Sequence, residues 1–155
     1  MNRKIRFNKE YYDGRELANM KLYLEKGYDF KGEASEYLKA HTGASQVLLT
    51  SGATSAMDLF LMGADLPKGS QVIMPSFTFP AAANAVLRAE LRPVFADIDR
   101  HTLVMDMKEV VRKTTSETSC IMPVHYGGAS MDMDKLVEFA DGKDICVFED
   151  AERRS

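Results

Sequence analysis

From residue 46 onward the chain alternates short, continuous apolar runs with amphipathic stretches, and this alternation restricts its folds more than any other feature. The runs are Gln46 to Thr50, Gln71 to Met74, Pro93 to Ala96, Ser119 to Pro123 and Ile145 to Glu149. They do not alternate apolar with polar, and continuous runs are the pattern of strands covered on both faces. Between them apolar residues recur at helical spacing: Met57, Phe60, Leu61 and Ala64; Met107, Val110, Val111 and Thr114; Met133, Leu136, Val137 and Ala140. Asp106 and Asp132 each stand just before such a stretch, where a carboxylate accepts hydrogen bonds from the free amides of a first turn. Strand and helix in alternation, with short connections, predict an α/β fold built of βαβ units around a mostly parallel sheet. Ligands of such sheets bind beyond the carboxyl ends of the strands. The residues directly after each run are therefore the functional candidates.

The first forty residues differ in character, being polar and aromatic, with Tyr11, Tyr12, Tyr23, Tyr28 and Tyr37 spread through them. Helices are expected from Glu16 to Glu25 and from Glu33 to His41, so residues 1–45 are expected to form an N-terminal helical segment and residues 46–155 the sheet-bearing part. A chain of 155 residues with 45% hydrophobic and 28% charged residues has the balance of a soluble globular protein with a substantial core. A net charge of −3 without a basic stripe argues against a nucleic-acid partner. No apolar stretch approaches the roughly 20 residues of a membrane span. Met1 to Lys9 is not followed by an apolar h-region, so no signal peptide is expected and the expected setting is cytoplasmic. Cys120 and Cys146 both lie in apolar runs, as buried reduced thiols do, and they are too few and too far apart for a zinc site.

Five segments could carry chemistry. Thr50-Ser51-Gly52-Ala53-Thr54-Ser55 leads from a run into a helix, where free amides at the positive end of the helix dipole bind phosphate. The same residues also read as an ordinary Ser/Thr helix cap, and the ending of a Walker loop is absent. Pro75-Ser76-Phe77-Thr78-Phe79-Pro80 places two aromatic rings after the second run, either to stack on a flat heteroaromatic ligand or to anchor the core. Asp97 and Asp99 alternate after the third run, but no clustered histidine supports a metal, and Asp97 is expected to satisfy loop amides. His125, in Pro123-Val124-His125-Tyr126-Gly127-Gly128, reads as a cofactor or substrate contact or as a hydrogen-bonded loop histidine; His41 and His101 show no sign of joining it in a metal site. Asp150 closes the last run. A carboxylate there is costly without a partner; a protonated pyridine nitrogen is one such partner, and a helix cap or a loop salt bridge are others.

Taken together, Val47-Leu48-Leu49-Thr50, Val72 to Phe79, Pro123 to Gly128 and Glu149-Asp150-Ala151, with the early Ile5-Arg6-Phe7-Asn8, resemble the DegT/DnrJ/StrS family of pyridoxal-phosphate (PLP) sugar aminotransferases. Within that family the likeness is strongest to enzymes that aminate dTDP-4-keto-6-deoxyglucose to dTDP-4-amino-4,6-dideoxygalactose. The resemblance implies a three-layer αβα fold, the large domain of fold type I PLP enzymes, with residues 46–155 as its N-terminal part and the C-terminal half absent. It implies pyridoxal 5'-phosphate as cofactor, with Thr54 and Ser55 at its phosphate, Phe79 on its ring and Asp150 at its ring nitrogen. His125 falls near the cofactor without an assigned role. A nucleotide-sugar substrate, glutamate as amino donor and a homodimer in the full-length form are implied as well.

Two departures accompany the likeness. Arg153 stands where the family carries Gln or His, and the family's Schiff-base lysine falls beyond Ser155. Lys108, Lys113 and Lys135 lie in amphipathic stretches and Lys143 in a turn, so none is expected to replace it. No catalytic residue is therefore expected within this chain, which is expected to be a truncated form inactive alone. The alternative is a non-catalytic module that keeps the PLP pocket. A doubly wound nucleotide-binding or receiver-like domain would need a glycine-rich fingerprint or a clustered acidic pocket, and neither is present.

Overall fold

The computed structural model describes residues 11–27 and 29–152; Ile5 to Asn8, Tyr28 and Arg153 lie outside the described residues. The chain divides between Leu49 and Thr50 into two compact units. The first contains helices α1 (Arg15–Lys26) and α2 (Phe30–Thr42). Asp29 caps α2 by accepting from the Gly32 amide. Gly27 closes α1 in the left-handed conformation at φ 62°, which L side chains adopt at a cost, and donates its N–H to Tyr23 O.

The second unit is a doubly wound α/β structure. Its elements are α3 (Ala53–Gly63), β1 (Gln71–Pro75), α4 (Pro80–Arg88), β2 (Arg92–Ala96), α5 (Met107–Lys113), β3 (Thr118–Ile121), a single 3-10 turn (Tyr126–Gly128), α6 (Met133–Asp141) and β4 (Cys146–Val147). The four strands run in the order β2-β1-β3-β4, and every pairing is parallel. Val72, Ile73 and Met74 of β1 are wholly buried because successive side chains point to opposite faces and both faces are covered. Val72 and Met74 join Met57 and Leu61 of α3 and Ala82, Ala85 and Val86 of α4. Ile73 joins Val110 of α5, Leu136 and Ala140 of α6 and Ile121 of β3 on the other side. The sheet is thus the middle of three layers, as expected.

Both anticipated acidic caps form. Asp106 accepts from the Lys108 amide and Asp132 from the Lys135 amide. The helical faces are narrower than the spacing implies, however. Val110 and Leu136 are fully buried, whereas Val111 is 50% and Val137 42% exposed, because these short helices touch the sheet along one stripe. The first apolar run is a correction: Gln46 to Thr50 has no strand structure, and Leu48 is 73% exposed. A strand exists only with a ladder partner, and none pairs with this run among the described residues.

Replacing Ile73 by Ala should lower unfolding stability by about 2–5 kcal/mol, the cost of a cavity at a site packed from both sides. Val137→Ala should change it by no more than about 0.5 kcal/mol. Urea titrations of the two variants followed by circular dichroism check this contrast.

Candidate functional site

Winding all strands in one direction gathers their carboxyl ends along a single edge. At the end of β1 the chain passes through Ser76 to Phe79 and enters α4 with Pro80 in the first turn, where its fixed φ suits a helix and its missing N–H is not needed. Phe79 is the extended residue before that turn, and its ring is 75% exposed, so it is not a core anchor. Phe77 instead tilts against Tyr126, with ring centroids 4.4 Å apart. Between them the Thr78 hydroxyl is buried without a hydrogen-bond partner among the described residues.

β3 and β4 continue toward one another past their formal ends. Asp150 N–H donates to Pro123 O and His125 N–H donates to Asp150 O, which forms a parallel bridge between Val124 and Asp150. Alternation in this extended stretch sends the side chains of Glu149 and Asp150 to opposite sides. Glu149 Oε2 lies 2.7 Å from His125 Nε2. His125 is buried, and its Nδ1 has no partner among the described residues. Glu149 was not singled out from the sequence, although its place beside Asp150 at a strand end was the available signal.

Asp150 is half-buried, and burial pushes its carboxyl above the ordinary aspartate value; the Glu152 amide opposes this in part. No ion pair to its carboxylate occurs among the described residues.

The loop from α3 into β1 crosses Leu66 to Ser70 at the amino edge, so the first turn of α3 points back toward the carboxyl edge. Gly52 precedes this helix, and no side chain caps it. The hydroxyls nearby are engaged elsewhere: Thr50 Oγ1 donates to Gly52 O, and Ser51 and Ser55 Oγ are 3.1 Å apart. The Ser/Thr cap expected as an alternative is therefore not made. Thr54 and Ser55 occupy the second and third positions of the helix, both exposed, where backbone amides have no intrahelical acceptor. α3 packs on α4 through one core cluster, and Phe60 stacks on Phe148 at 4.1 Å. The structure thus joins His125, Glu149 and Asp150 directly. It sets Thr54, Ser55 and Phe79 at the starts of two neighbouring helices, without a hydrogen bond or ring contact from them to Asp150 or His125.

Asp99, rather than the expected Asp97, satisfies loop amides. It accepts from His101 N, Thr102 N and Thr102 Oγ1, and these bonds hold its carboxyl below the usual range. Lys135 is paired with Asp132, and Lys143 lies 5.3 Å above the Phe139 ring. No cluster of three metal-capable side chains occurs among the described residues, and no helix there is long and apolar enough to cross a membrane.

The model of the DegT/DnrJ/EryC1/StrS aminotransferase family matches residues 15–153. Among solved structures, the chain resembles NtdA from Bacillus subtilis with bound cofactor PMP, at 29% identity and a TM-score of 0.81 over 87% of this chain and 32% of that one. It resembles 3-amino-5-hydroxybenzoic acid synthase at 30% identity and a TM-score of 0.84, over 92% of this chain and 39% of that one. It also resembles DesI, solved in the presence of its TDP-sugar product, at 29% identity and a TM-score of 0.76, over 86% of this chain and 35% of that one. The chain therefore spans well under half the length of these relatives.

Because burial raises the folded-state pKa of Asp150, its ionised form is destabilising above that pKa and costs nothing below the unfolded value of 3.8. Asp150→Asn should thus raise the urea midpoint at pH 7, and the gain should shrink as pH falls toward 3.8. Denaturation of both proteins across that range measures it.

Proposed function

The chain belongs to the DegT/DnrJ/EryC1/StrS aminotransferase family, and on that premise we propose that it is the N-terminal part of the large domain of a PLP-dependent sugar-nucleotide aminotransferase. The observation that carries the reading is Asp150, a half-buried carboxyl just past β4, the edge strand of the described sheet, that makes no ion pair among the described residues. A protonated pyridine nitrogen supplies the missing partner. The uncapped first turn of α3, with the Thr54 and Ser55 hydroxyls, suits the phosphate. The exposed Phe79 ring suits the flat face of the pyridine. The residues present fit the cofactor on all three counts.

Bound there, PLP would supply an electron sink for bond breaking at the amino-bearing carbon. Asp150 would keep the ring nitrogen protonated by remaining ionised against it. Phe79 would hold the ring in plane, and the α3 amides with Thr54 and Ser55 would fix its phosphate end. His125, held by Glu149 at Nε2 and bonded through its N–H to Asp150 O, would fix the backbone that carries Asp150. The covalent lysine that transamination requires is assigned, in this reading, to the further length that the solved relatives have.

The finer assignments rest on resemblance. We take the acceptor to be a dTDP-4-keto-6-deoxy sugar, glutamate to be the donor, and a homodimer to be the working form. A relative at 29% identity solved with a TDP-sugar product supports the substrate class.

Equilibrium dialysis of the chain against PLP tests the cofactor reading. Asp150→Asn should weaken binding by about 10- to 100-fold, the worth of a charge-assisted hydrogen bond of about 1.5–3 kcal/mol, while Thr54→Val should weaken PLP but not pyridoxal lacking the phosphate. Equal PLP affinity in the parent and Asp150→Asn proteins would remove this reading.

A further inference from the structure

Neither cysteine takes part in the site described above, yet the fold places them face to face. Cys120 on β3 and Cys146 on β4 are direct register partners in adjacent parallel strands. Both turn toward the α3/α4 layer, where Cys120 belongs to the core cluster and Cys146 packs against it. Adjacent strands lie about 4.7–4.9 Å apart, inside the roughly 4.4–6.8 Å Cα span that a disulfide bridges and near its short end. Their surroundings differ. Cys120 is fully buried, whereas Cys146 is partly exposed and lines an open cavity of about 910 Å³ at the amino edge of the sheet, together with Leu66, Ser70 and Ser119.

We propose that Cys120 and Cys146 form a reversible thiol–disulfide switch in which a peroxide entering the amino-edge cavity oxidises Cys146 and the buried Cys120 resolves it. The adjacent Cys120 thiol lowers Cys146 to about 7, and the Cys146 thiol together with burial pushes Cys120 up. Cys146 is thus the thiolate that attacks, and Cys120 is the reserve thiol. In the first step the Cys146 sulfur attacks one peroxide oxygen and the O–O bond breaks. Cys146 becomes a sulfenic acid, and the released hydroxide takes up a proton to form water. In the second step the Cys120 sulfur attacks the Cys146 sulfur and the S–O bond breaks. The hydroxyl leaves with the Cys120 proton as a second water. The two thiols lose two electrons in all, and the peroxide gains them.

β4 shares two register positions with β3, a further bridge joins Val124 to Asp150 beyond them, and β4 leads directly to Glu149 and Asp150. The bond would therefore cross-link the two strands that carry His125, Glu149 and Asp150. Cys146 is partly exposed, and exposed disulfides are the more readily reduced, so the bond should open again with a thiol reductant.

The test treats the purified chain with hydrogen peroxide and maps its peptides without reduction. A Cys120–Cys146 cross-link within one chain is expected, with an intact mass lower by two hydrogens and reversal by dithiothreitol. Cys120→Ser should stop at a sulfenic acid that dimedone labels, and Cys146→Ser should leave Cys120 unoxidised. Without any variant, iodoacetamide should label Cys146 with a half-maximal rate near pH 7 while Cys120 reacts only after unfolding. Cross-links only between chains, no disulfide at all, or equal labelling of the two native thiols would overturn the proposal.

Discussion

Everything in the second unit depends on β1 being covered on both faces. Val72 and Met74 need one apolar layer and Ile73 another, so helices must lie on each side of the sheet. Each connection then has to leave a strand at its carboxyl end, cross a face as a helix, and return at the amino end. That route gives parallel strands and delivers every strand's exit to the same edge. Phe79, His125 and Asp150 come from distant parts of the chain, and a single packing requirement carries them to one edge of the sheet.

This requirement is also why much of the fold could be read from the residues. Uninterrupted apolar runs such as Val72 to Met74 report two-sided burial directly, and Asp106 and Asp132 report helix starts because a carboxylate before a first turn has a local use. Both are properties of a short stretch of chain. Pairing is not such a property. Gln46 to Thr50 has the composition of a strand and remains unpaired among the described residues, since hydrogen-bonded partners come from elsewhere in a chain. Val111 and Val137 show a similar limit: spacing says which residues share a face, but the angle at which a short helix meets the sheet decides which of them is covered.

The candidate site divides in the same way. Phe79 and Asp150 stand out because a ring beyond a strand end and a carboxylate closing an apolar run both run against local expectation. The partnership of His125 with Glu149 depends on two strand extensions meeting across the sheet, 24 residues apart. Cys120 and Cys146 share that difficulty, since each sits unremarkably in an apolar run and only the register sets them opposite one another. The Thr78 hydroxyl, without a partner among the described residues, depends on the path of one loop, for which the residue order carries no signal.

The two edges of the sheet also differ in how their polar groups are satisfied. At the amino edge Ser70 and Ser119 share a 2.6 Å hydrogen bond, Gln71 is bonded to Thr115, Thr118 and Glu117, and Arg92 pairs with Glu117. At the carboxyl edge Asp150 is half-buried without an ion pair among the described residues, and the two buried polar side-chain atoms without partners among them, Thr78 Oγ1 and His125 Nδ1, follow the neighbouring strands β1 and β3. A buried polar atom left unpaired costs about 1–3 kcal/mol, so packing alone would favour neutral or apolar side chains at these places. The cost is concentrated where strand geometry already directs ligands, and it falls on groups able to hold a cation or to donate and accept hydrogen bonds. That asymmetry does not depend on any relative: polar side chains in and beside β1, β2 and β3 satisfy one another at the amino edge, whereas at the carboxyl edge groups able to bind a ligand stay without partners among the described residues.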